Sequence, residues 1–253
     1  MVGSVGGYMN FNDYIFAKKR AGSSDGGSYE QGYEAGKQAE YIEWWTEYQR
    51  YGYSSYYGRF SGYGWTNKTF KPPFNINASG SAQAIFQNSR IEGDLVEILN
   101  NLDISMNFKD ITSWAYSFYG TYFTRLGSFE FGDITISYTF ANNAYLKTID
   151  ELIVTSKTKY SNVFGTTNLE NLTISGTIGQ NGFDVKSSTD LSKASNISII
   201  NALSTTTSGL TVTLSLTAVN KAFETSPGAN DGSTSEEWLN LVATKPNWTV
   251  ALA

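Results

Sequence analysis

An aromatic residue followed five or six positions later by an apolar one, and three positions after that by another, recurs through the middle of this chain. Phe118, Phe123, Leu126, Phe129 and Phe131 make one copy. Phe140, Leu146, Ile149, Leu152 and Val154 make the next, 22 residues on, and Phe164, Leu169, Leu172 and Ile174 a third, 24 residues on. The lead-in repeats as well, DITSWAYSF at 110–118 and DITISYTF at 133–140. A looser copy, Phe86, Ile91, Leu95 and Ile98, comes earlier, its interval stretched to 32 by the extra segment DLVEILNNL. These offsets fit neither the period of a helix nor that of a strand. A period of roughly 20 to 29 residues with an L-x-x-L-x-I core, as in Leu169, Leu172 and Ile174, marks a leucine-rich-repeat solenoid. Each coil of such a fold supplies a short strand and a bent return, so its inward positions follow the coil rather than one element. A single coil buries too little apolar surface to offset the ordering of its backbone, and neighbours must cover its faces.

Two helix-then-strand units of about one repeat follow. In SKASNISIINALSTTTSGLTVTLS, Ala194, Ile197, Ile200 and Leu203 fall on one helical face, with Val212 and Leu214 on a strand. In STSEEWLNLVATKPNWTVALA, Thr234 and Glu237 stand at capping-box spacing. Trp238, Leu241 and Val242 follow, Pro246 breaks the helix, and Trp248, Val250 and Leu252 finish a strand. Both units are expected to continue the parallel sheet and close it, with SPGANDGS at 226–233 as an exposed loop between them. The expected class is therefore α/β, a short leucine-rich-repeat-like solenoid with a parallel β-sheet, helical C-terminal coils and an N-terminal helix.

Three regions are expected. Residues 1–28 read as a flexible arm or anchor, Gly/Ser-rich at both ends and carrying Tyr8, Phe11, Tyr14, Ile15 and Phe16. Residues 29–75 read as an aromatic helix and loop region forming an N-terminal cap. Tyr33, Lys37, Tyr41, Trp44 and Tyr48 lie along one side of that helix, a surface that packs on the body or on copies of itself in a homo-oligomer. The loop at 51–74 alternates aromatics with Gly and Ser, the residue types of binding loops, and also suits a plug over an open end. Residues 76–253 form the solenoid with its helical C-terminal cap.

The chain has no Cys and no His, which removes disulfides, thiolate nucleophiles and the commonest acid/base group and metal ligand. Its net charge of −5, with only Lys18, Lys19 and Arg20 clustered, argues against a nucleic-acid partner. The start lacks the apolar core of a secretory signal and no run reaches membrane-spanning length, so folding in a cytoplasm is expected, without membrane insertion. The Gly-rich pieces GSVGG and AGSSDGGS lack the Lys and flanking elements of a phosphate loop. Asp150 with Glu151, or Glu236 with Glu237, are the carboxylate pairs nearest to a glycoside-hydrolase arrangement, though adjacent acids are usually solvated. No D-x-D-x-D-G calcium loop is present, and no cofactor, metal or catalytic residue is assigned. Sequons at Asn67, Asn77, Asn171, Asn196 and Asn247 are what chance gives in so Asn- and Thr-rich a chain.

The repeats resemble the bacterial-surface-protein class of leucine-rich repeats. The order YEQGYEAGKQAEYIEWW, GWTNKTFKP, the Phe-anchored copies, LKTIDELIV, LENLTISGTIG, SIINALSTTTSGLTVTLS and NWTVALA is similar to a family encoded by phages and prophages of gram-positive gut bacteria. The resemblance spans roughly 28–253. It implies a virion protein of the tail or particle surface, or an adhesin on the bacterial cell surface, with the repeat sheet as an interaction face and no catalytic motif. The expected function is thus a non-catalytic module. Its arm would join other virion proteins and its body would bind a bacterial surface glycan or protein through Tyr53, Tyr56, Tyr57, Tyr63, Trp65, Thr173 and Ser175. A purely structural virion component and a cell-wall glycan hydrolase are the alternatives.

Overall fold

In the computed structural model, residues 60–70 and 75–253 are described, all within one compact unit, Ser54–Ala253. The expected arm, the aromatic helix and residues 51–59 of the loop region lie outside the described residues. The elements are β1 (Ile76–Ser81), β2 (Glu92–Asp94), α1 (Leu95–Asn101), β3 (Met106–Ser113), β4 (Tyr122–Glu130), β5 (Thr135–Ser137), β6 (Thr148–Val154), β7 (Lys159–Ser161), β8 (Asn171–Gly176), α2 (Lys193–Ala202), β9 (Leu210–Leu214), α3 (Leu216–Ala222), α4 (Glu236–Ala243) and β10 (Trp248–Leu252). The pairings between these strands are all parallel, so the class is α/β with parallel sheets, as expected. Four strands form the main sheet in the order β2-β4-β6-β8, while β1-β3, β5-β7 and β9-β10 form separate pairs.

The phenylalanines that set the sequence period stack on one another. Ring centroids of Phe86 and Phe118 are 5.5 Å apart, those of Phe118 and Phe140 5.7 Å, and those of Phe140 and Phe164 5.7 Å, each pair within 20° of parallel. The row begins earlier than the repeat suggested. Phe60 stacks on Phe86 at 5.2 Å, so the body starts within the region expected to be a cap. Backbone bonds keep the same register: Phe60 N–H donates to Ile85 O, Phe86 to Ser117 O, Phe118 to Thr139 O and Phe140 to Val163 O, at 2.6–3.0 Å. Two residues before and two after each of the later rings the backbone is left-handed: Ala84 and Asn88, Tyr116 and Gly120, Tyr138 and Asn142, Asn162 and Thr166. Each ring therefore sits at the middle of the same bent turn.

The mixed spacing of the inward residues has a local cause. Leu126 and Phe129 face Ile149 and Leu152, three residues apart on both strands, but Ile149 and Leu152 pair with Leu172 and Ile174, only two apart. Asp150 and Glu151 together oppose the single Thr173, a bulge that adds one residue without turning the apolar side outward. The segment DLVEILNNL that stretches the first interval holds α1, started by Asp94, whose carboxylate accepts from Val96 N (2.8 Å) and Glu97 N (3.1 Å).

Polar residues hold the turns together from inside. Thr121, Asn143 and Thr167 each follow their phenylalanine by three, are buried and bond carbonyls of the turns, while the equivalent Ser89 is buried with its hydroxyl unpartnered. The Asn143 amide accepts from Thr121 N (2.6 Å) and donates to the carbonyls of Phe118 (2.6 Å) and Phe140 (3.0 Å). Elsewhere asparagine amides replace missing strand rungs. Asn67 bonds both backbone groups of Glu92, Asn75 accepts from Ser105 N, and Asn181 accepts from Thr211 N. Of the sequon asparagines, Asn67 is committed in this way, Asn196 is fully buried, and Asn247 donates to the carbonyls of Ser204 and Thr207. The abundance of Ser, Thr and Asn is thereby put to structural use.

The C-terminal part differs from expectation in four ways. The helical units do not continue the main sheet. Helix α2 lies beside β8, and its Ser195 and Ser198 hydroxyls accept from Leu172 N and Ile174 N, both at 2.8 Å, covering the sheet edge with side chains. That contact sets the rotation of the helix, so its buried residues are Ser195, Asn196, Ile199, Ile200 and Ala202, while Ala194 is exposed and Ile197 only half-buried. Helix α4 is capped by Ser235 rather than Thr234, because Thr234 ends a short 3-10 turn and its hydroxyl bonds back to Asp231 O at 2.9 Å. Helix α3, capped by Ser215, is not anticipated by the apolar pattern. Lys245 is buried and its amine donates to Asn201 O (2.8 Å) and Leu203 O (2.7 Å), closing the C-terminal end of α2, and desolvation lowers its pKa.

Candidate functional site

Of the residues nominated from sequence, Tyr53, Tyr56 and Tyr57 lie outside the described residues. Tyr63 is 62% exposed, with the Arg90 guanidinium 5.0 Å from its ring centre. Trp65 is half-buried and meets Phe60 edge-on at 5.3 Å, so one side of its ring closes the end of the phenylalanine row. Thr173 is exposed on β8, and the half-buried Ser175 hydroxyl bonds the Glu151 carboxylate. Tyr63 follows the first ring of the row and Thr173 follows the fifth, so the structure separates these two groups by four rungs and does not join them into one site.

Several charges on and beside the main sheet are mutually engaged. Arg125 on β4 binds Asp150 of β6 through two nitrogens, at 2.8 and 2.9 Å, and Asp94 at 3.1 Å. Hydrogen bonds to Asp150 and then to Asp94 raise the pKa of the guanidinium further. Lys147 pairs with Glu170, and Lys193 with Glu237 at 2.6 Å. Asp150, Glu151 and Glu237, three of the four acids considered for hydrolysis, therefore have partners: the first is clamped by a cation, the second holds Ser175, and the third pairs across to α2. Both carboxylate oxygens of Asp150 are taken up by the Arg125 guanidinium. Among the described residues there is no cluster of three or more acidic side chains that would hold a metal ion.

A groove of about 250 Å³ opens between α1 and the strands β3 and β4, lined by Leu95, Leu99, Ile104, Met106, Phe108 and Phe129 among others, with Asn100, Ser105 and Ser128 as polar groups. No titratable side chain lines it, so it offers packing and no acid/base chemistry.

The most prominent surface feature beyond the nominated residues is tyrosine. Tyr116 and Tyr138 stack at 5.1 Å with rings within 1° of parallel, and Tyr119 meets Tyr116 edge-on at 5.6 Å. Tyr122 and Tyr145 form a second stacked pair at 5.1 Å. They do not stand out as a cluster in the sequence, because they lie in separate copies of the repeat, outside the aromatic loop at 51–74. The signal was present in the repeat: Tyr116 and Tyr138 both precede their phenylalanine by two. No family model matches the chain, and no curated protein or solved structure matches it.

Proposed function

We propose that this chain is a non-catalytic binding or assembly module, built as a short leucine-rich-repeat-like solenoid with helical coils at its C-terminal end. Its setting is a phage or prophage particle, in the tail or at the surface, where the body engages a bacterial surface glycan or protein and the N-terminal arm joins other virion proteins. The observation that carries the reading is the register from Phe60 to Phe164: similar windings stacked side by side present a broad outer surface, as repeat architectures use for recognition. The partnered carboxylates and the acid-free groove favour binding over hydrolysis. The particle setting rests on the resemblance of the repeats and their flanks.

The test is co-sedimentation of the purified chain with gram-positive cells, beside a Tyr63→Ala, Trp65→Ala variant and an assay for released wall fragments. Sedimentation with no fragments released is expected. Incorporation into particles without cell binding would instead make the chain a structural component. Fragment release abolished by Asp150→Asn would make it a hydrolase.

A further inference from the structure

The turns around the phenylalanine row form a ridge with an unusual composition. No residue in 83–89, 115–121, 137–143 or 161–167 is charged. The sheet side of the same windings, by contrast, carries the Arg125, Asp94 and Asp150 network and the Lys147–Glu170 pair. A partner of this ridge meets no ion pair and has to be recognised by flat apolar faces and neutral hydrogen-bonding groups.

Equivalent points of the four turns, two residues before each ring, hold Ala84, Tyr116, Tyr138 and Asn162, with φ of 57°, 57°, 53° and 49°. Left-handed backbone suits Asn and strains a bulky side chain. The turn itself does not require tyrosine, since Ala84 and Asn162 occupy it. Strain accepted at two adjacent windings places two parallel half-exposed rings side by side. On the far side of Tyr138 the row drops. Asn162 is exposed, and its amide folds over Gly165, where a Cβ would come within 2.5 Å of Asn162 Oδ1. In register, the stacked aromatic surface thus stops at Tyr138, and the next turn holds a neutral amide in place of a third ring, which makes a step.

We infer that this step is a subsite for one pyranose ring of a neutral glycan. The C–H face of the sugar lies against Tyr138, its hydroxyls meet the Asn162 amide, and Tyr116 backs the ring from behind. An aromatic face beside an uncharged donor and acceptor matches the amphipathic faces of a sugar ring. The inference rests on the glycan-binding form of the function proposed above and gives that binding a place.

The test uses the full chain and protein-stripped gram-positive cell walls, with binding measured by sedimentation and folding followed by thermal melting. Tyr138→Asn suits the left-handed backbone and removes the ring at the step. Tyr138→Phe keeps the ring, and Asn162→Tyr extends the stack and fills the step. The expected result is about tenfold weaker binding for Tyr138→Asn and Asn162→Tyr, the order of one aromatic contact, with Tyr138→Phe close to wild type and every variant still melting cooperatively. Periodate treatment of the walls is expected to abolish binding. Wild-type binding by both Tyr138→Asn and Asn162→Tyr would overturn the subsite and leave the binding function standing. Binding only to walls that retain their protein would overturn it in favour of a protein partner. Binding by no variant to walls or whole cells would remove subsite and function together.

Discussion

The windings from Phe60 to Gly176 and those from Lys193 to Leu252 are built in two different ways. The first set puts a phenylalanine at the centre of each turn, and the rings form a continuous row in which each inner ring touches two neighbours. The second set replaces the bent turn with a helix. The row ends where Phe164 meets Phe183 at an inclined 60°. Beyond it, side-chain hydrogen bonds join the elements, among them those of the Ser195 and Ser198 hydroxyls, the Lys245 amine and the Trp248 indole, which donates to Ser204 O at 2.9 Å. An aromatic row can be extended by one more winding of the same kind. A helix lying on the sheet edge cannot, because it offers no rung of N–H and C=O groups to a following strand. The C-terminal set therefore ends the main sheet while still covering it.

Substitutions sharpen that contrast. Phe140→Ala removes a fully buried ring that stacks on both sides, and about 3 to 5 kcal/mol of stability should go with it in urea unfolding. A loss below about 1 kcal/mol would mean that the row is not what holds the windings together. Ser195→Ala leaves Leu172 N without its acceptor at the edge of β8, and a smaller cost of about 1 to 3 kcal/mol is expected. Amide exchange should show that proton losing protection while amides of β4 keep theirs.

Tyr160 lies where the two sets meet, 8% exposed, with its hydroxyl unpartnered and its ring edge-on to Phe183 at 5.2 Å. Desolvation raises its pKa. The unfolded chain releases this proton near the ordinary tyrosine value of about 10 while the folded chain retains it, so stability falls as pH rises above about 10. Tyr160→Phe should remove that alkaline loss and add about 1 kcal/mol at neutral pH, read from denaturation midpoints at both pH values. An unchanged alkaline slope would place the hydroxyl in contact with solvent. The smallest change is expected at Thr166, exposed and β-branched at φ 57°, where glycine should relieve strain and raise stability by about 1 kcal/mol or less. A loss there would mean that the turn is not held left-handed.

The same residues show how much of the fold could be read in advance. Phe118, Phe140 and Phe164 were legible as a set because large side chains recur there at a nearly fixed period, and Val212, Leu214 and Trp248 were legible by ordinary strand alternation. Phe60 was missed because Gly and Tyr surround it and blur the period. Thr121, Asn143 and Thr167 were missed because an apolar pattern does not register polar residues that face inward to bond carbonyls. The edge role of Ser195 and Ser198 depends on which strand the helix meets, a fact no local pattern carries. Left-handed turns at Ala84, Tyr116 and Thr166 are invisible for a similar reason: those residue types do not favour that backbone, and only stacking against the next winding holds them in it. For the candidate site, the nominated Tyr63 is exposed as expected, whereas Tyr116 and Tyr138 needed the three-dimensional register to be seen as a pair.

The measurement that bears most directly on the stacked register is a pair of double-mutant cycles using Phe→Leu at Phe118 with Phe140, and at Phe60 with Phe164. Rings in contact should couple, with an interaction energy of about 0.5 kcal/mol or more for the first pair, while the second pair, at opposite ends of the row, should be additive within about 0.5 kcal/mol. Additivity at Phe118 and Phe140, or strong coupling between Phe60 and Phe164, would contradict a single in-register row and the windings built on it.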